Sequence, residues 1–153
     1  GADPQDDTVT CAEHLDAQRP LTVLASDAIA ERQNLGATLR SRSGEAQRHG
    51  WMAPADLATT FATCNAALVS ASTLSWEALA TRTPIVALQT ADNQVGVVAT
   101  LRAAGIPVFT SAMDAVAAMN AGHASLPVAD AKLDGLGAWR VAHAMGASTG
   151  DLP

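Results

Sequence analysis

Short apolar runs alternate along this chain with stretches whose apolar positions recur every three to four residues. The runs lie at 21–25, 66–70, 85–88 and 107–109. Runs of this length, bounded by turn residues, read as buried strands, and 48–52 reads as a short edge-like strand. Helices fill the intervals. One is expected over 6–18, with acids in its first turn where the helix dipole favours them. A second is expected over 27–42, capped by Asp27, with Ile29, Leu35 and Leu39 approximating one face. Pro54 opens a third at its first position, running to about Thr63. Asp92 caps another, which Gly105 stops after Ala104. Ser111 caps one ending near Gly122, and a last helix is expected over 134–145, followed by a frayed tail over 146–153. Strands and helices in strict alternation, joined by short turns, predict an α/β fold: a doubly wound parallel sheet, Rossmann-like, with helices on both faces.

Composition narrows the partners. The chain is one domain in length and carries a net charge of −6, which disfavours nucleic acid and anionic membranes because neutralising phosphate needs a basic face. No apolar run reaches membrane-spanning length, and no signal peptide is visible. Apolar residues make up 48% of the chain but aromatic ones only 3%, so the core is expected to be built from Ala, Val, Leu and Ile. Cys11 and Cys64 read as small buried hydrophobes in a reducing cytoplasm. His14, His49, His123 and His143 show no metal-ligand spacing. Local sequence shows no nucleophile–base pair and calls for no cofactor or metal. Arg32, Arg40, Arg42 and Arg48 form a basic stretch, read first as a solvated helix end and loop, and otherwise as part of an anionic-ligand rim.

The chemistry concentrates between Asn65 and Gln94. Here a buried strand runs into a hydroxyl-rich turn, Ser70-Ala71-Ser72-Thr73, which opens a helix with Ser72 or Thr73 as its cap. Pro84 starts the next strand, and Asp92 opens the next helix. Two such turns at the carboxyl ends of adjacent parallel strands point helix-terminal amides into one crevice, a setting suited to phosphate. Ser72, Thr73 and Ser75 add hydroxyls. Glu77, about one turn further, can accept two hydrogen bonds from a ribose diol. The plainer reading of each is a helix cap and an acid that complements the dipole.

The run Ser-Thr-Leu-Ser-Trp-Glu-Ala-Leu-Ala-Thr-Arg-Thr-Pro-Ile-Val from Ser72, followed by Ala-Asp-Asn-Gln from Ala91, resembles the C-terminal domain of the UDP-sugar hydrolases of pseudaminic acid biosynthesis. It is similar too to the related spore-coat polysaccharide proteins of the glycosyltransferase-B superfamily. Two outlying motifs agree in order. Gly1-Ala2-Asp3-Pro4 with Thr8 resembles that family's Gly-Gly-x-Asp-Pro turn, and the stretch 133–141 resembles its Asp-Gly-x-Gly-x-x-Arg-Val helix start. The resemblance implies the nucleotide-sugar-binding half of a cytoplasmic transferase or hydrolase acting in surface-polysaccharide or nonulosonic-acid biosynthesis. It implies UDP or a UDP-sugar as ligand and an N-terminal partner domain that carries the catalytic base. It places the diphosphate on Ser72, Thr73 and Leu74, the ribose on Glu77, and the distal phosphate or sugar on Asn93 and Gln94. The base falls near Trp51 and Met52, and Ala2 and Asp3 lie in the outlying turn.

Two departures stand out. Ser70, Ala71 and Ser72 replace the family's small glycines, which narrows the approach of a phosphate. The family also has a central strand ahead of the Gly-Gly-x-Asp-Pro turn, so either the match at Ala2–Asp3 is accidental, or that strand is missing or supplied otherwise. The alternative function is a degenerate, non-catalytic Rossmann-like interaction module that has lost its nucleotide. A dinucleotide-dependent oxidoreductase is disfavoured by the lack of a Gly-x-Gly-x-x-Gly after any strand.

Overall fold

The computed structural model describes Asp3 and residues 5–128. The helix expected over 134–145, the 133–141 motif, the tail and the residues Gly1, Ala2, Pro4 and His143 lie outside the described residues. The elements run α1 (Asp7–His14), β1 (Leu21–Leu24), α2 (Asp27–Arg32), α3 (Leu35–Ser41), β2 (Ala46–His49), α4 (Pro54–Thr63), β3 (Ala67–Ser70), α5 (Thr73–Ala80), β4 (Ile85–Leu88), α6 (Val95–Ala103), β5 (Val108–Phe109) and α7 (Ala112–Asn120). The chain is an α/β protein of Rossmann-like architecture. Its strands pair in parallel in two small sheets, β1–β2 and β3–β4–β5.

The side-chain alternation of β4 explains the layering. All four of its residues are buried. Ile85 and Ala87 face a cluster with Phe61 of α4, Ala78 and Leu79 of α5, and Val98 and Leu101 of α6. Val86 and Leu88 face the opposite cluster with Cys11 of α1 and Ala112, Ala115, Val116 and Ala118 of α7. An uninterrupted apolar run is what a strand covered by helices on both faces requires. A third cluster joins Ala12 of α1 and Leu35 and Leu39 of α3 to Leu21, Val23 and Ala25 at β1. Helix α1 therefore reaches both sheets: Cys11 packs on one and Ala12 on the other.

Several boundaries differ from the sequence expectation, each for a local reason. Helix α1 stops at His14 instead of 18, because the Arg42 guanidinium collects the carbonyls of Ala12 (2.7 Å), Leu15 (3.0 Å) and Asp16 (2.6 Å). The stretch 27–42 is two helices. Asn34 adopts a left-handed backbone (φ 49°), and Ser26, not Asp27, caps the first of them. Strand β2 is shifted to Ala46–His49 by its register with β1, which pairs Leu21 with Ala46 and Leu24 with His49. Asp92–Gln94 form a 3-10 turn before α6 begins at Val95. Gly105 (φ 79°) ends α6 as expected, with the Ile106 N–H returning to the Leu101 carbonyl.

In the basic stretch, Arg32, Arg40 and Arg48 are exposed and Arg42 is half-buried, but all except Arg40 are engaged with neighbouring protein groups. Arg32 donates to the Asp3 carbonyl and to the Asp6 carboxylate at 3.2 Å. Arg48 donates to the Ala25 carbonyl at 2.9 Å and pairs with Asp27 at 2.9 Å. With Arg42, these three cations tie neighbouring segments of the fold together.

Asp3 anchors the first helix. It is 7% exposed, and its carboxylate accepts from the amides of Asp7 (3.0 Å) and Thr8 (2.8 Å) and from Gln33 Nε2 (2.9 Å). Gln33 Oε1 accepts from the Val9 amide at 3.0 Å, so the opening amides of α1 are satisfied by protein groups. Burial pushes the Asp3 carboxyl up. The hydrogen bonds from Gln33, Thr8 and Asp7 outweigh this and hold it below the usual 3.8. A depressed carboxylate stabilises the fold above its unfolded value, and that stability is lost as pH falls through the folded value. Asp3→Asn is expected to lower stability at neutral pH by about 1–2 kcal/mol. It is also expected to flatten the loss of stability below about pH 4. Urea titrations from pH 7 to pH 3 check this, and parallel pH profiles for the variant and the parent would count against it.

Candidate functional site

The carboxyl ends of β3, β4 and β5 carry the polar turns. At the first turn Ser72 caps α5, its hydroxyl accepting from the Leu74 amide at 3.4 Å. The Ser70 and Ser72 hydroxyls meet at 2.9 Å, and fully buried Ser75 donates to the Ser70 carbonyl at 2.8 Å. The Ser72 amide donates to the same carbonyl at 2.8 Å. Two of the three hydroxyls that the sequence offers to a ligand, those of Ser72 and Ser75, are thus engaged within the turn. Thr73 is exposed, and neither its amide nor its hydroxyl has a partner among the described residues. Glu77 is exposed on α5, one turn along, with no ion pair among the described residues.

Backbone strain does not enter at this turn. Ser72 has φ −139°, and no residue from Ser70 to Thr73 has a positive φ, so glycine's conformational freedom is not needed there. Ala71 is fully buried and packs in the core with Val69 and Ala78. The Ser70-Ala71-Ser72 replacement of glycines is therefore compatible with the turn geometry.

At the second turn the Gln94 side chain folds back. Its Oε1 accepts from the amides of Thr90 (2.8 Å) and Ala91 (3.3 Å), and its Nε2 donates to Thr90 Oγ1 at 3.3 Å. Gln94 thus shapes the loop, whereas Asp92 and Asn93 beside it are exposed. A cleft of about 430 Å³ opens here, lined by Gln5, Gln89, Thr90, Ala91, Asp92 and Thr110. Its lining is amide and hydroxyl with one carboxylate, a set that donates and accepts hydrogen bonds from polyols.

None of the sequence-predicted site residues lines the cleft: Asp92, expected only as a helix cap, does, and Asn93 and Gln94 adjoin it in the same turn. Ser72, Thr73, Leu74 and Glu77 belong to the neighbouring turn and are not in its lining. Trp51, 86% exposed, and half-buried Met52 lie in the loop after β2, outside the cleft. Asp3 is committed to the α1 amides, and Ala2 lies outside the described residues. Gln89 and Thr110 escaped the sequence reading, although each is the polar residue directly after a parallel strand, where ligand-contacting groups of such sheets sit. Gln5 carries no such signal.

Burial, reinforced by Asp7 and Asp3, pushes the Cys11 thiol up to about 12, and burial raises Cys64 as well. Among the described residues no three His, Cys, Asp or Glu side chains form a metal-binding group, and no helix is long and apolar enough to cross a membrane. No protein-family model, curated protein or solved structure matches this chain.

Proposed function

We propose that this chain is the nucleotide-sugar-binding part of a glycosyltransferase-B-like transferase or hydrolase, taking UDP or a UDP-sugar at the carboxyl edge of β3–β4–β5. The observation that carries the reading is the opening of α5: Thr73 offers an unengaged amide and hydroxyl at a helix N-terminus, and exposed Glu77 stands one turn behind. A diphosphate suits the first pair and a ribose diol suits the second. The adjoining cleft, with Gln89, Thr90 and Asp92, suits the hydroxyls of the sugar. The partner domain supplies the catalytic base, so this chain by itself binds without turnover.

One observation favours the second reading, a non-catalytic interaction module. Ser70, Ser72 and Ser75 spend their hydroxyls on each other and on the turn, which reduces what a phosphate could gain. Calorimetric titration with UDP separates the two. Binding is expected, and Glu77→Ala is expected to weaken it by about 1.5–3 kcal/mol, the worth of a hydrogen bond to a charged partner. A flat titration at millimolar UDP, with the protein shown to be folded, would leave the interaction module as the better account.

A further inference from the structure

The side chains that line the cleft at the ends of β4 and β5 offer more acceptors than donors. Asp92 brings two carboxylate oxygens, and they make no ion pair among the described residues. Gln89 Nε2 donates to the Ala91 carbonyl at 3.3 Å, which leaves Gln89 Oε1 to accept. The Thr90 hydroxyl is shared with Gln94 Nε2 at 3.3 Å. Gln94 Oε1 also takes the Thr90 and Ala91 amides, two donors that an anion could otherwise have met. The donors that remain on side chains belong mainly to Gln5 and Thr110, both exposed. The lining includes no Lys, Arg or His.

We propose that this cleft takes an uncharged, hydroxyl-bearing sugar and rejects an acidic one, and that Asp92 sets the preference. The inference rests on the nucleotide site at the opening of α5 and adds the class of sugar held beside it. A sugar hydroxyl both donates and accepts, so it can serve the Asp92 and Gln89 oxygens as well as the Gln5 and Thr110 donors. A sugar carboxylate only accepts. In this cleft it would leave the Asp92 and Gln89 oxygens without donors and set a second negative charge beside Asp92, with no cation in the lining to offset it. Gln5 completes the set from the other end of the chain. Its place follows from Asp3, two residues earlier, whose carboxylate is held by the Asp7 and Thr8 amides and by Gln33.

Calorimetric titration with UDP, UDP-glucose and UDP-glucuronic acid tests this. The two sugars differ only at C6, a hydroxymethyl in one and a carboxylate in the other. At low ionic strength UDP-glucuronic acid is expected to bind at least about tenfold more weakly than UDP-glucose, and added salt is expected to narrow the gap, because the repulsion is screened. Asp92→Asn keeps the shape of the side chain and removes its charge, and it is expected to bring the two affinities within about threefold of each other. Glu45→Gln changes the net charge equally, at an exposed position just ahead of β2 and outside the cleft, and is expected to leave the gap as it is. Equal affinities in the parent would overturn the proposal, as would a gap that Asp92→Asn leaves unchanged or that Glu45→Gln closes equally. If UDP binds while the two sugars bind alike, the sugar preference fails and the nucleotide reading stands. If none of the three binds to the folded protein, both fail.

Discussion

Arg42→Ala is expected to lower the unfolding free energy by about 2–4 kcal/mol, because several carbonyls lose a charged donor at once. The guanidinium bonds the carbonyls of Ala12, Leu15 and Asp16, with a longer contact to Arg19 at 3.4 Å. These are the orphan carbonyls at the end of α1 and the turn that carries the chain into β1. A planar fork reaches them together, whereas a lysine ammonium cannot, so Arg42→Lys is expected to recover less than half of the loss. Arg42→Met keeps the apolar stem and separates lost packing from lost hydrogen bonds. Arg40→Ala, two residues away and exposed, is the control, with an expected change within about 0.5 kcal/mol. Urea denaturation of the four variants reads the result. Equal midpoints for Arg42→Ala and Arg40→Ala would show that the guanidinium contributes nothing to the end of α1.

The contrast between Arg42 and Arg40 shows what the sequence could and could not convey. Both stand at the end of one helix, and by position both are cations that suit its dipole. Nothing local tells that one of them crosses to the carbonyls of another helix some thirty positions earlier. Gln33 hides its role in the same way: it sits in a helical pattern, yet its amide leaves to cap α1, and the backbone breaks beside it at Asn34. Features set by short-range physics were legible. The apolar run of β4, the Ser72 and Ser111 caps and the Gly105 and Gly122 stops all follow from burial, capping and left-handed backbone within a few residues. The parallel α/β layering followed from the alternation of such elements.

The site was legible to the extent that it depends on topology. Polar turns after β3 and β4 follow from the alternating pattern, and Asp92 reaches the cleft. How the hydroxyls are spent is a different matter. Ser72, Thr73 and Ser75 all look available in the sequence, and only the folded turn engages Ser72 and Ser75, together with Ser70, while leaving Thr73 without a partner among the described residues. Gln5 meets Thr90 and Thr110 across the cleft from the other end of the chain, a meeting no local pattern announces.

The largest single-site effect within the core is expected at Ile85. It is fully buried in β4, packed with Phe61, Leu79 and Leu101, and its backbone exchanges hydrogen bonds with Ser125 at 2.9 and 3.0 Å. Ile85→Ala removes three carbons from a site fixed by β3 on one flank and by the Ser125 bridge on the other. Collapse around the void is therefore limited, and the expected loss is about 3–5 kcal/mol, against about 1 kcal/mol for Ile85→Val. The backbone bonds persist in both variants, so the difference isolates side-chain packing. Val95→Ala, at an exposed position, is expected to change stability by less than about 0.5 kcal/mol. In urea titrations the Ile85 variants should shift the midpoint at constant slope, because the surface exposed on unfolding is nearly unchanged. Strand β4 also carries the Gln89–Asp92 turn, so the loss is expected to reach the cleft as faster amide exchange at Gln89, whose N–H bonds the Phe109 carbonyl at 2.8 Å. A cost for Ile85→Ala no greater than that for Val95→Ala would show that β4 is not the buried centre around which the helices pack.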